Sequence, residues 1–185
     1  MGGSSAKWDF SKDAEGEYSS DPCDLYNPWY GVKCNSLMTD IVSLNLHETG
    51  MSGRLPSTLG GLSGLTYLDL SRNDLFGQVP ISISTGMLSL KIMNLYSNRL
   101  QGALDLGFFS KLTKLEVVNV YNNNLVGFVP DSLGSVPNLE LLFMDRNRLS
   151  GYVSAAPGAL SNLEKLGILQ VSEGLKEAIL GVVGG

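Results

Sequence analysis

The chain has 185 residues, which suits one domain able to bury roughly 70% of its unfolded surface, so core size is not limiting. Charged residues make up 17% of it and the formal net charge is −5. With no basic run and no apolar stretch near the ~18 residues of a membrane helix, this balance excludes a nucleic-acid footprint and a spanning helix. Residues 1–20 are polar and rich in Gly and Ser, without a signal-peptide apolar region, and read as a partly flexible N-terminal segment. Trp8 and Phe10 are its candidates for packing on whatever follows.

From Ile41 onward the chain repeats itself. IVSLNLHETGMSGRLP starts at Ile41, LTYLDLSRNDLFGQVP at Leu65, LKIMNLYSNRLQGALD at Leu90, LEVVNVYNNNLVGFVP at Leu115 and LELLFMDRNRLSGYVS at Leu139. A sixth start, LEKLGILQV at Leu163, loses the pattern. The units share LxxLxLxxNxLxGxxP, and an α/β repeat solenoid follows: alternating residues such as Leu68 and Leu70 make a short strand with one buried face, and stacked units pair these strands into a parallel concave sheet.

Each recurring position has a physical role. Asn73, Asn98, Asn123 and Asn147 stand where the chain leaves the strand, and an inward amide can satisfy turn peptides removed from water; Thr49 replaces Asn in the first unit. Gly53, Gly77, Gly102, Gly127 and Gly151 mark a bend intolerant of a Cβ. Pro56, Pro80 and Pro130 begin the outer arc, with Leu59, Leu62, Leu133 and Val136 turning back into the core. Asp105 and Ser154 break the Pro column, which predicts irregular arcs there, particularly around the bulky pair Phe108 and Phe109.

With Gly and Pro in those places, the pattern resembles the plant-type leucine-rich repeat over about 130 of the 185 residues. The preceding segment, DPCDLYNPWYGVKC from Asp21 to Cys34, resembles the N-terminal cap of plant extracellular leucine-rich repeats. The resemblance implies a right-handed solenoid with a cap at 21–40, five coils at 41–162, and a partial sixth coil with a closing helix at 163–185. Ser172 is the candidate N-cap of that helix, and Leu175, Ile179 and Val182 or Val183 form its apolar stripe. In the cap context the only cysteines, Cys23 and Cys34, are expected to form a disulfide; two unpaired buried thiols in a reducing compartment are the alternative.

Two thiols and one distant His, His47, do not make a zinc ligand set, and no glycine-rich phosphate loop is present, so neither metal nor cofactor is expected. Any Ser-His catalysis must use His47, beside Ser71 in the stacked column, yet nothing supplies an oxyanion nest or closed pocket, and the chain is not expected to be an enzyme.

Recognition suits the open sheet better. Residues alternating with the core ladders face outward in columns about 4.8 Å apart from coil to coil. The second position gives Ser43, Tyr67, Ile92, Val117 and Leu141; the fourth gives Asn45, Asp69, Asn94, Asn119 and Phe143. Position six gives His47, Ser71, Tyr96, Tyr121 and Asp145, and position seven gives Glu48, Arg72, Ser97, Asn122 and Arg146. The candidate partner-binding residues are Tyr67, Asp69, Arg72, Ile92, Asn94, Tyr96, Val117, Asn119, Tyr121, Leu141, Phe143 and Arg146, joining aromatic anchors, amides, apolar groups and arginines.

The reading is therefore a non-catalytic module that binds a protein or peptide on its concave face. Receptor-kinase ectodomains, receptor-like proteins and polygalacturonase inhibitors share the repeat and cap, so inhibition of a secreted hydrolase is one alternative. The other is an accessory structural subunit of a larger assembly in a plant or algal organelle. The cap implies an oxidising compartment, either the secretory route or the thylakoid lumen. None of the asparagines begins an N-x-Ser/Thr sequon, which weighs against a glycosylated cell-surface ectodomain.

Overall fold

The computed structural model describes residues 21–26, 28–104, 107–128, 131–150 and 165–167. Twelve strands lie among them. β1 (Val32–Cys34) belongs to the cap, and each coil adds a pair: β2 (Ile41–Asn45) and β3 (Ser52–Arg54), β4 (Tyr67–Asp69) and β5 (Asp74–Gly77), β6 (Ile92–Asn94) and β7 (Arg99–Gly102), β8 (Val117–Asn119) and β9 (Asn124–Gly127), β10 (Leu141–Phe143) and β11 (Arg148–Leu149). The sixth start contributes β12 (Lys165–Gly167). The closing helix expected over 172–183, the packing of Trp8 and Phe10, and the arc around Ser154 lie outside the described residues.

The first strand of each pair builds the expected sheet, in the order β1-β2-β4-β6-β8-β10-β12. It is parallel from β2 to β12 and follows the repeat register, so that Tyr67 lies beside Ser43 and Ile92, and Val117 beside Ile92 and Leu141. The cap strand β1 runs antiparallel to β2, with Val32 opposite Leu44. A strand placed there covers an edge that would otherwise offer its N–H and C=O groups to another chain. Cys23 and Cys34 are bonded, with Cα atoms 5.7 Å apart, and tie the start of the cap to the end of β1.

The second strands form another parallel sheet, β3-β5-β7-β9-β11, which the repeat pattern did not announce. Its pairing is staggered by two residues per coil: Phe76 stands opposite Arg99, and Gln101 opposite Asn124. The strands β5, β7 and β9 end at the repeated glycine. Gly77, Gly102 and Gly127 have φ of +82°, +84° and +88°, a backbone region in which L side chains are strained. A Cβ on Gly102 would also lie 2.8 Å from the Gln78 side chain.

Between the sheets and the outer arcs run the ladders that the repeat predicts. Leu68, Met93, Val118 and Leu142 form one, Leu70, Leu95, Val120 and Met144 a second, and Leu65, Leu90, Leu115 and Leu139 a third; all are buried. Fully burying such a side chain is worth about 1.5–3 kcal/mol. Leu59, Leu133 and Val136 complete the core from the outer side, and Leu62 packs against it half-buried. Phe108 and Phe109 are buried too, their rings edge to face at 5.1 Å, so the arc lacking its proline is filled by aromatic packing.

The asparagines join coil to coil. Asn98 Nδ2 donates to the carbonyl of Leu95 in its own coil (3.1 Å) and of Leu70 in the preceding one (3.0 Å), while its Oδ1 accepts the Leu75 N–H at 3.0 Å. Asn123 and Asn147 repeat this arrangement one and two coils further on. The Thr49 hydroxyl donates to the Leu46 carbonyl of its own coil (2.9 Å) and reaches Asn73 Oδ1 of the next only at 3.4 Å, while the Thr49 N–H donates to that Oδ1 at 3.2 Å. One position earlier, Glu48, Arg72, Ser97, Asn122 and Arg146 all have φ between 51° and 55°. Every coil thus makes a left-handed step with a non-glycine residue, at a cost of roughly 1–2 kcal/mol each. The return is inter-coil bonding, since the Arg72, Ser97 and Asn122 N–H groups donate to Tyr96, Tyr121 and Asp145 of the next coil.

Candidate functional site: the concave sheet

Tyr67, Ile92, Val117 and Leu141 stand side by side across β4, β6, β8 and β10, half-buried, as the second column predicts. The fourth column behaves differently from its sequence reading. Asn45 Oδ1 accepts the His47 N–H (3.2 Å), Asp69 Oδ1 the Ser71 N–H (2.9 Å) and Asn119 Oδ1 the Tyr121 N–H (3.2 Å). These are Asx turns, in which a short polar side chain closes on the backbone two residues ahead. The amide-rich middle is therefore occupied in turning the chain off the strand.

At the N-terminal end the polar residues also bond one another. Asp69 is only 6% exposed, and beyond the Ser71 N–H it accepts the Ser71 hydroxyl, the Tyr67 hydroxyl (3.2 Å) and Asn94 Nδ2 (2.9 Å). Burial, then the adjacent Asp69 carboxylate, push the Tyr67 phenol pKa upward, so Tyr67 stays a neutral donor. Arg72 reaches back 2.9 Å to Glu48. Of the predicted binding residues, Tyr67, Asp69, Arg72 and Asn94 are thus held in intramolecular contacts. Asn94 Oδ1 is buried without a hydrogen-bond partner among the described residues.

From the third coil onward the face opens, with Tyr96 at the boundary still meeting Arg72 and the His47 ring, 6.1 Å away. Tyr96 and Tyr121 occupy adjacent coils, half-buried, beside Ile92, Val117, Leu141 and Phe143. Arg146 is exposed and lies over the Tyr121 ring, its guanidinium carbon 5.3 Å from the centroid. Asp145, read from its column as outward-facing, is 8% exposed, and that burial raises its carboxyl pKa against the opposing pull of its own backbone N–H and Arg146.

His47 and Ser71 do meet, Nδ1 to Oγ at 2.8 Å. The Ser71 hydroxyl spends its hydrogen on Asp69, so it accepts from His47 and forms the middle of the chain. Activating a serine needs the imidazole in the middle, accepting from the hydroxyl and oriented by the carboxylate. The order here holds a serine in place and does not deprotonate it. No group of three His, Cys, Asp or Glu side chains among the described residues could hold a metal ion, and none of the described helices is long and apolar enough to cross a membrane.

Sequence reasoning missed the outer face of the second sheet, where Phe76, Val126 and Phe128 are exposed. The visible signal was the residue on either side of each repeated glycine, which has nowhere to point but outward.

Leucine-rich repeat family profiles match residues 88–149 and, as a single repeat, 64–85. A putative leucine-rich repeat receptor-like serine/threonine-protein kinase of Arabidopsis thaliana is 37% identical over 86 residues, which is 46% of this chain and 8% of that protein. Among solved structures, a chain of the BIR3–SERK2 complex of Arabidopsis thaliana is 30% identical with a TM-score of 0.66, over 73% of this chain and 70% of that one. The ectodomain of the plant membrane receptor kinase GASSHO1/SCHENGEN3 from Arabidopsis thaliana, in complex with CASPARIAN STRIP INTEGRITY FACTOR 2, is 31% identical with a TM-score of 0.68; the match covers 78% of this chain and 16% of that chain. This chain accordingly spans less than a tenth of the receptor-like kinase it matches. The repeat and the parallel sheet built on it agree with these likenesses, and the chain belongs to the plant-type leucine-rich repeat proteins.

Proposed function

We propose that this chain is a non-catalytic recognition module that binds a protein or peptide on the C-terminal part of its concave sheet, outside the cell. The supporting observation is the cluster of Tyr96, Tyr121, Ile92, Val117, Leu141 and Phe143 on adjacent coils beside the exposed Arg146. Tyrosine and arginine around apolar neighbours are the groups that anchor interfaces at low entropic cost. The partly accessible apolar column has no internal partner to satisfy, whereas the polar N-terminal end has many. Arg146, held over an aromatic ring, is placed for a carboxylate at the rim. A disulfide in the cap favours an oxidising compartment, and the likeness to receptor ectodomains favours the extracellular one.

The test is to capture partners with the biotinylated chain from a secreted plant protein fraction, then titrate each captured partner calorimetrically against wild type and the Tyr96→Ala/Tyr121→Ala double variant. Binding should weaken about tenfold, or 1.4 kcal/mol, with folding retained. Unchanged affinity of every partner for the folded double variant rejects the concave reading. The arc at Phe108 and Phe109 would not replace it, because both rings are buried.

A further inference from the structure

The outer face of the second sheet is used by neither the core nor the concave strip. Parallel sheets are ordinarily covered on both faces. This one exposes Phe76, Val126 and Phe128 at 42%, 40% and 56%. Its polar residues are also unlike the rest of the surface. Three of the five arginines in the chain, Arg54, Arg99 and Arg148, lie on β3, β7 and β11, and Asp74 is the only carboxylate on the five strands. Arg99 pairs with Asp74 at 2.5 Å, whereas Arg54 and Arg148 have no ion-pair partner among the described residues. A molecule with net charge −5 thus carries a locally cationic flank.

Two adjoining depressions give that flank its shape. They share Gln78 and Gln101; one extends past Arg54 toward Ile81, the other past Asn124 to Val126 and Arg148. The repeated glycines form part of the floor, since Gly77 and Gly102 place no Cβ there. From β3 to β11 is four inter-strand steps, or roughly 20 Å, the length of about six extended residues. Arginine and aromatic enrichment with carboxylate depletion is the composition of an interface core.

We propose that this flank docks an extended acidic segment of a partner protein, with carboxylates meeting Arg54 and Arg148 and apolar side chains covering Phe76 and Val126. The surface is separate from the concave strip and stands or falls independently of it. The guanidinium groups supply two forked donors for carboxylates, and the glutamines and Asn124 supply both donors and acceptors for an extended backbone.

The experiment is selection of random peptides displayed on phage against the wild-type chain, followed by anisotropy titration of the enriched peptides. Enrichment in Glu or Asp combined with Leu or Phe is expected. Those peptides should bind the Arg54→Glu/Arg148→Glu variant about tenfold more weakly or worse, lose affinity as salt rises, and bind Tyr96→Ala/Tyr121→Ala as wild type. All the substituted arginines are exposed, so the charge-reversed chain should keep its wild-type unfolding midpoint, and Phe76→Ser provides a second, uncharged disruption of the same face. An enriched pool without acidic bias, or acidic peptides indifferent to both flank variants, overturns the proposal. So does a wild-type dimer in sedimentation that the charge reversal dissolves, which would assign the face to a second copy of this chain. Saturable binding of an acidic oligosaccharide at Arg54 and Arg148, with no peptide enriched, would also overturn it.

Discussion

The two ends of the concave sheet are built from the same repeat and differ in what their side chains do for one another. In the first two coils, Glu48 pairs with Arg72, and His47, Ser71 and Tyr67 converge on Asp69 or its neighbours, joined by Asn94 from the edge of the third. In the next three coils the same columns carry Ile92, Val117, Leu141, Tyr96, Tyr121 and Phe143. Polar groups about 4.8 Å apart can bond each other across coils and spend their capacity internally. Apolar groups at that spacing gain only partial burial and leave surface whose removal from water can drive association. An outward position in a solenoid is therefore not the same as an available one.

That contrast can be tested against the scaffold beneath it. The largest effect belongs to the asparagine ladder: Asn98→Ala removes donors to two coils and orphans the buried Leu75 N–H, and should cost about 2 kcal/mol in denaturant unfolding. Thr49→Val removes one short bond within its own coil, whose acceptor Leu46 also receives Asn73 at 2.7 Å, and a long 3.4 Å contact to Asn73, and should cost about 0.5 kcal/mol. Equal losses would mean that the ladder does not couple coils.

A smaller effect separates the two ends directly. Asp69→Ala leaves Ser71, Tyr67 and Asn94 without their common acceptor and should destabilise by about 1.5 kcal/mol, while Tyr121→Ala should cost under about 1 kcal/mol. Should Asp69→Ala be silent in unfolding and instead abolish partner binding, the N-terminal end would be the contact surface and the contrast drawn above would reverse.

The ladders, the asparagine turns and the glycine bends were legible because each repeats in register, and stacking forces identical positions into identical environments. The second sheet was not legible: only a leucine, one outward residue and a glycine announce each of its strands, and the two-residue stagger between Phe76 and Arg99 leaves no trace in spacing. The fate of Asp69 was half visible. Asp followed two residues later by Ser is an Asx-turn signal, but the reach of Asn94 from the next coil depends on side-chain geometry across a strand pair. The irregular arc at Phe108 and Phe109 is visible in the break of the proline column, but that both rings turn inward to the core is not.

The smallest expected effect concerns Asp145, the acidic residue at the open end. Like Asp69 it is buried, but it lacks the four donors that converge on Asp69, and burial raises its carboxyl pKa. A carboxyl whose pKa is higher in the folded chain than in the unfolded one disfavours folding when ionised. That penalty is absent below the unfolded pKa of about 3.9, grows as pH rises toward the folded value, and is complete above it. Asp145→Asn removes the ionisation while keeping the shape, so the variant should melt slightly higher than wild type at pH 7, and the two should converge near pH 3. Measuring both melting curves across that range isolates Asp145, because every other carboxylate is common to the pair. A variant that instead melts lower than wild type at pH 7, by a margin that closes toward pH 3, would show that the ionised Asp145 is held by specific donors, and the open end would then carry an interlocked residue of its own.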